Sequence, residues 1–117
     1  MRQKKIVLFA FRGDPLCFVH VLLNGIDLYE RGQEGLIVIE GDAVTLVGQM
    51  SQPDHFLSTL YQQAKGLKLF AGACKACATK LGAIEAIKKE EIPLIGEMSG
   101  HPAMGGFMEQ GYEVITF

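Results

Sequence analysis

A chain of 117 residues, 49% hydrophobic and 21% charged, has the size and composition of one globular domain whose core needs no disulfide support. A net charge of -2 without any basic block argues against a nucleic-acid footprint. Three cysteines, an odd number in a chain with no export signal, fit a reducing cytoplasm better than a stapled secreted fold.

Lys4 and Lys5 precede an apolar run, Ile6 to Phe11, that is too short for a signal peptide or a membrane span. Its unbroken hydrophobicity is that of a strand buried on both faces of a parallel sheet. Asp14 and Pro15 then read as the N-cap and first turn of a helix with Val19, Leu22, Leu23, Ile26 and Tyr29 on one face, ending at Gly32. Phe18, Val21 and Leu28 make that helix apolar elsewhere as well. The pattern predicts that it covers the sheet and a subunit interface.

Leu36 to Ile39 form the second strand, closed by Glu40-Gly41-Asp42, and Ala43 to Met50 read as a short helix. Ser51-Gln52-Pro53-Asp54 has the spacing of a capping box, opening a helix with Phe56, Leu57, Leu60, Tyr61 and Ala64 inward and Lys65-Gly66 at its end. Leu67, Leu69 and Phe70 give a third strand. Ala78, Leu81, Ile84 and Ile87 give one helix running to Lys88-Lys89, whose cations suit the negative end of its dipole.

Ile92 to Met98 read as the fourth strand, with Pro93 tolerable only near its start. Ser99-Gly100-His101-Pro102 is a loop, Ala103 to Gln110 a short helix stopped by Gly111, and Tyr112 to Phe117 an alternating fifth strand. Residues 1–117 thus predict a single α/β domain: a three-layer α/β/α sandwich with a mostly parallel five-stranded sheet.

The chemistry concentrates where Cys74-Lys75-Ala76-Cys77 joins the third strand to its helix. A thiol at a helix N-terminus meets unpaired N–H groups and the positive end of the dipole, and Lys75 and Lys80 add charge, so the pattern predicts an easily ionised Cys74. Gly72 is expected to let the backbone turn tightly. Cysteines also serve as inert core filler, but Gly-Ala-Cys-Lys reads as a strand-to-helix junction. In open α/β sheets ligands sit outside the carboxyl ends of the strands, which makes Asp14, Asp42, Ser99 and His101 candidate neighbours of Cys74. Asp14 and Asp42 read equally well as cap or turn residues. His101 reads either as a cap for the last helix or as a base for the thiol, while Cys17 and His20 read as packing residues and Arg12 as solvated.

The order of these elements, and a cysteine after the third strand followed eight residues later by Gly82, resemble the DsrE/DsrF-like family, the sulfur-relay proteins of the DsrEFH and TusBCD type, over essentially the whole chain. The resemblance implies a DsrEFH-like fold and a persulfide carried on Cys74, with Cys77 at a position where several members have a second cysteine. It also implies sulfur-donor and sulfur-acceptor proteins as partners, in a homo-oligomeric trimer or hexamer or a hetero-oligomer. Where the family usually has Arg before the glycine, this chain has Leu81, next to Lys80. Thiol exchange of this kind requires no cofactor.

Three other readings stay open. A Cys-x-x-Cys dithiol oxidoreductase normally carries its motif after an early strand and commonly flanks it with Trp, which this chain lacks. Cys74, Cys77 and His101 can also be metal ligands, although there is no second Cys-x-x-Cys. A small-ligand site around Ser99-Gly100 has no phosphate-binding motif behind it.

Overall fold

The computed structural model describes residues 3–117. One five-stranded sheet organises them, with all strand pairs parallel and the order β4-β3-β2-β1-β5. The strands are β1 (Lys5–Ala10), β2 (Glu34–Ile39), β3 (Phe70–Cys74), β4 (Leu94–Ile95) and β5 (Glu113–Thr116). The helices are α1 (Pro15–Glu30), α2 (Leu46–Met50), α3 (Ser58–Gly66), α4 (Lys75–Lys80), α5 (Ile84–Lys89) and α6 (Met104–Glu109), and a 3-10 turn spans Gly41–Thr45.

The connectivity explains why the two outer layers are unequal. From β1 to β4 the chain steps one strand at a time in the same direction, and crossovers of one hand place α1 to α5 on a single face. There Ile6, Leu8, Ile37, Ile39 and Ala73 of the sheet meet Phe18, Leu22, Tyr61, Ala78 and Ile87 of the helices. The return from β4 to β5 crosses the opposite face and carries only α6, whose Met104 and Phe107 cover Val7, Phe9 and Val38. The expected α/β/α sandwich is present, with one thick helical layer and one thin one.

Local deviations from the sequence pattern have identifiable causes. Helix α1 starts as expected, with Asp14 Oδ1 accepting the Leu16 N–H at 2.8 Å and Pro15 at the first position. Its buried stripe, however, is Phe18, Val21, Leu22, Gly25 and Ile26, whereas Leu23 and Tyr29 are exposed. The apolar residues assigned to a second face therefore belong to the chain's own core. The Ser51-Gln52-Pro53-Asp54 segment is a turn and caps nothing: Ser51 Oγ donates back to the Gly48 carbonyl at 2.8 Å, α3 begins only at Ser58, and Phe56 is exposed. The helix after the cysteines breaks in two at Gly82, whose φ is +70°. Strand β3 starts at Phe70 because Lys68 turns with φ +60°, and β4 keeps two residues because the chain bends away into the 96–101 turn.

Among the described residues no helix is long and apolar enough to cross a membrane.

Candidate functional site

The ends of three neighbouring strands build the site. Ile39 of β2 pairs with Ala73 of β3, so the next residues along the two strands, Glu40 and Cys74, emerge side by side at the carboxyl edge. Strand alternation puts both opposite the core-facing Ile39 and Ala73. Cys74 also pairs with Ile95 of β4, and the chain beyond that strand returns His101 to the same edge.

Gly72 has a different role from the expected turn. It lies within β3 with Ile95 packed over it, and a Cβ there would come within 2.2 Å of Ile95 Cδ1. The absence of a side chain is what lets β4 close on β3 beside the cysteines.

His101 is placed by a tight turn. Met98 and His101 exchange backbone hydrogen bonds of 2.9 Å in both directions, and Ser99 and Gly100 between them have φ of +50° and +94°, the left-handed pair that a type I′ turn requires. This turn docks on α4: the Gly100 carbonyl accepts the Ala76 N–H at 2.8 Å. His101 does not cap the last helix, since the Ala103 N–H is taken by Glu97 Oε1 at 2.9 Å.

Four donors converge here. Cys74 Sγ lies 3.1 Å from His101 Nδ1, Cys77 Sγ lies 3.9 Å from the same nitrogen, and Glu40 Oε1 lies 3.8 Å from it. One ligand atom from each of the four residues falls within 4.8 Å of all the others. Cys74 is the N-cap of α4, its Sγ accepting the Cys77 N–H at 3.3 Å. Both cysteines are free thiols. Cys74 and Glu40 are buried, whereas Cys77 is half-buried and the His101 side chain is 42% exposed, so the cluster opens to solvent on its histidine side.

No protein-family model matches the chain, and no solved structure matches it. An uncharacterized protein of Methanocaldococcus jannaschii is 29% identical over 97 residues, which cover 83% of this chain and 77% of that protein. An uncharacterized protein of Archaeoglobus fulgidus is 39% identical over 46 residues, covering 39% of this chain and 75% of that protein. The chain belongs to the same family as this Archaeoglobus protein. Neither relative's name carries an activity.

The electrostatics of the cluster run against an easily ionised thiol. Burial pushes Cys74 up to about 11, and the Cys77 thiol and the Glu40 carboxylate push in the same direction, while the Cys77 N–H at the helix start opposes them. The dipole effect is present but loses to desolvation, because a six-residue helix offers a short dipole and the sulfur is fully enclosed. Burial also raises Glu40, partly offset by the His101 charge and by hydrogen bonds with Cys74 and His101.

Of the other expected neighbours, none reaches the thiol. Asp14 is a helix cap, Asp42 is exposed in the 3-10 turn, and Ser99 is exposed at the tip of its own turn. Lys75 and Lys80 are exposed and are not among the groups that shift Cys74. Cys17 and His20 do not pack in the core; together with Arg12 and Asn24 they line a surface hollow. Glu40 is the member of the cluster that the sequence pattern does not single out. The available signal was its place as the first polar residue after an apolar strand, next to a glycine and at the edge where ligands bind.

Proposed function

We propose that the chain is a sulfur carrier of the DsrE/DsrF-like type, accepting sulfur as a persulfide on Cys74 and passing it to an acceptor thiol. The observation behind this reading is the 3.1 Å contact between Cys74 Sγ and His101 Nδ1 at the carboxyl edge of the sheet, with a second thiol beside it. A thiol raised to about 11 is ionised in only about one molecule in ten thousand at pH 7, so the proton must leave as the nucleophile attacks. His101 is the group positioned to take it.

The thiolate of Cys74 then attacks the outer sulfur of a donor persulfide, forming Cys74–S–SH and expelling the donor thiolate, which recovers the proton from the imidazolium. An acceptor thiolate removes the outer sulfur by the same displacement and regenerates Cys74. Cys77, one helical turn on, can instead attack the Cys74 sulfur, releasing hydrosulfide and leaving an internal disulfide that a dithiol reductant reopens. The reading includes a cytoplasmic setting, sulfur-donor and sulfur-acceptor proteins as partners, and a homo-oligomeric trimer or hexamer or a hetero-oligomer.

Intact-protein mass spectrometry after incubation with a persulfide donor and a metal chelator tests it. Wild type and Cys77→Ser are expected to gain a reducible sulfur-atom adduct that Cys74→Ser lacks entirely. An adduct that survives in Cys74→Ser, or none in wild type, overturns the proposal.

A further inference from the structure

We infer that Glu40, Cys74, Cys77 and His101 form a four-ligand site for one divalent zinc-like ion in the reduced protein. The inference goes beyond sulfur transfer and does not depend on it.

Donor type, spacing and support each contribute. Two thiolates, an imidazole nitrogen and a carboxylate oxygen are the ligand set that a borderline-soft ion such as Zn2+ takes in tetrahedral coordination. Bonds of about 2.0–2.3 Å to such ligands give a tetrahedron with edges of roughly 3.3–3.8 Å. The separations of 3.1, 3.9 and 3.8 Å around His101 Nδ1 bracket that range, and all four donor atoms already lie within 4.8 Å of one another. Closing the widest separation from at most 4.8 Å to such an edge asks for side-chain shifts of about an ångström. That Glu40 and Cys74 share one nitrogen of His101 also separates this arrangement from a linear relay, in which a carboxylate would hold the far side of the ring.

The ligands come from the ends of β2 and β3, from α4, and from the turn after β4, so their positions are set by backbone that is already paired. The turn is fixed by its mutual hydrogen bonds and by the Gly100 carbonyl on α4, and a side chain at Gly100 would be strained, since its φ is +94° and a Cβ would press to 3.0 Å on that of Ala76. Binding displaces the two thiol protons to solvent and leaves no redox change. Once Cys74 is joined to Cys77 in a disulfide, the shell loses both thiolate ligands, so the metal and the disulfide exclude each other.

The test is a Co2+ titration of the reduced, full-length protein without any sulfur donor, followed by displacement with Zn2+. One equivalent of Co2+ with tetrahedral d–d bands and a thiolate charge-transfer band is expected. Cys17→Ser should keep that signature unchanged. Cys77→Ser should lose charge-transfer intensity, and Glu40→Gln should weaken binding by at least about tenfold while circular dichroism stays native. No stoichiometric binding in wild type overturns the inference, as does binding that Cys77→Ser and Glu40→Gln both leave intact. Because no persulfide is present, that failure leaves the sulfur-loading result standing on its own.

Discussion

Two glutamates at inter-element contacts show how the same side chain serves different ends. Glu90, at the end of α5, accepts a 2.6 Å hydrogen bond from the buried Tyr61 hydroxyl of α3 and pairs with Lys65 at 3.1 Å. Burial alone would raise its pKa, but the Tyr61 hydroxyl and Lys65 outweigh burial and hold it below the usual carboxylate range. Glu40 faces two thiols and a histidine, with no lysine or arginine among the groups of the described residues that shift it, and stays raised. The first carboxylate is answered by its surroundings and ties α3 to α5. The second is answered only in part, by His101 and Cys74, and stays raised beside nucleophiles, as at a site arranged for chemistry or for a cation.

Replacing each glutamate by its neutral isostere sharpens that contrast. Glu90→Gln removes the charge that the Tyr61 hydroxyl and Lys65 were placed to meet, and is expected to cost about 1.5–3 kcal/mol. Glu40→Gln substitutes an amide for a group whose protonated form the fold already favours, and should change stability by less than about 1 kcal/mol in either direction. Urea unfolding of the metal-free protein at neutral pH measures both. If Glu40→Gln proves as costly as Glu90→Gln, Glu40 is a structural pair like the other, and the functional assignment of the cluster loses its electrostatic support.

The contrast was only half visible in the amino-acid sequence. Features set by a few consecutive residues were legible: the apolar β1, the Asp14-Pro15 start of α1, the glycine stop after it, and the spacing that puts Cys74 and Cys77 one turn apart. Strand order was not, and Glu40 depends on it. It meets Cys74, 34 positions later in the chain, only because β2 and β3 are neighbours in register. The pKa of Cys74 was misread for a related reason. The local pattern contains the helix start and the lysines, but the desolvation that overrides them comes from the non-local closure of β4 and the 96–101 turn over the sulfur. The phase of α1 was misread because a helix with apolar residues nearly all round gives no unique buried stripe until the sheet chooses one.

The pH dependence of stability should separate the two carboxylates by sign. Glu90 has a folded pKa below the ordinary value of 4.5, so its contribution is present above that value and drains away as pH falls through the folded pKa. Glu40 has a folded pKa above 4.5, so its contribution is full below 4.5 and is lost as pH rises through the raised value. On acidification below 4.5, the advantage of wild type over Glu90→Gln should therefore shrink. Between the raised Glu40 value and 4.5, the balance between wild type and Glu40→Gln should move toward wild type. Unfolding free energies of the three proteins, measured across this interval with a chelator present, give the two slopes. Slopes of the same sign would mean that the two carboxylates sit in electrostatically similar surroundings.

The smallest expected effect lies in the thiol itself. Among the groups that raise Cys74 to about 11, the Glu40 carboxylate contributes least, after burial and the Cys77 thiol. Glu40→Gln should accordingly lower the Cys74 pKa, by less than the whole displacement that burial imposes. Alkylation of the reduced, metal-free protein over a pH series, followed on the Cys74 peptide by mass spectrometry, reads this directly, with Cys17, outside the cluster, as a control for the reagent. The inflection for Cys74 should move to lower pH. An unchanged inflection would mean that the carboxylate and the sulfur do not sense each other in solution. An upward shift would mean that Glu40 had been helping the thiol to ionise, the reverse of the role that the buried geometry gives it.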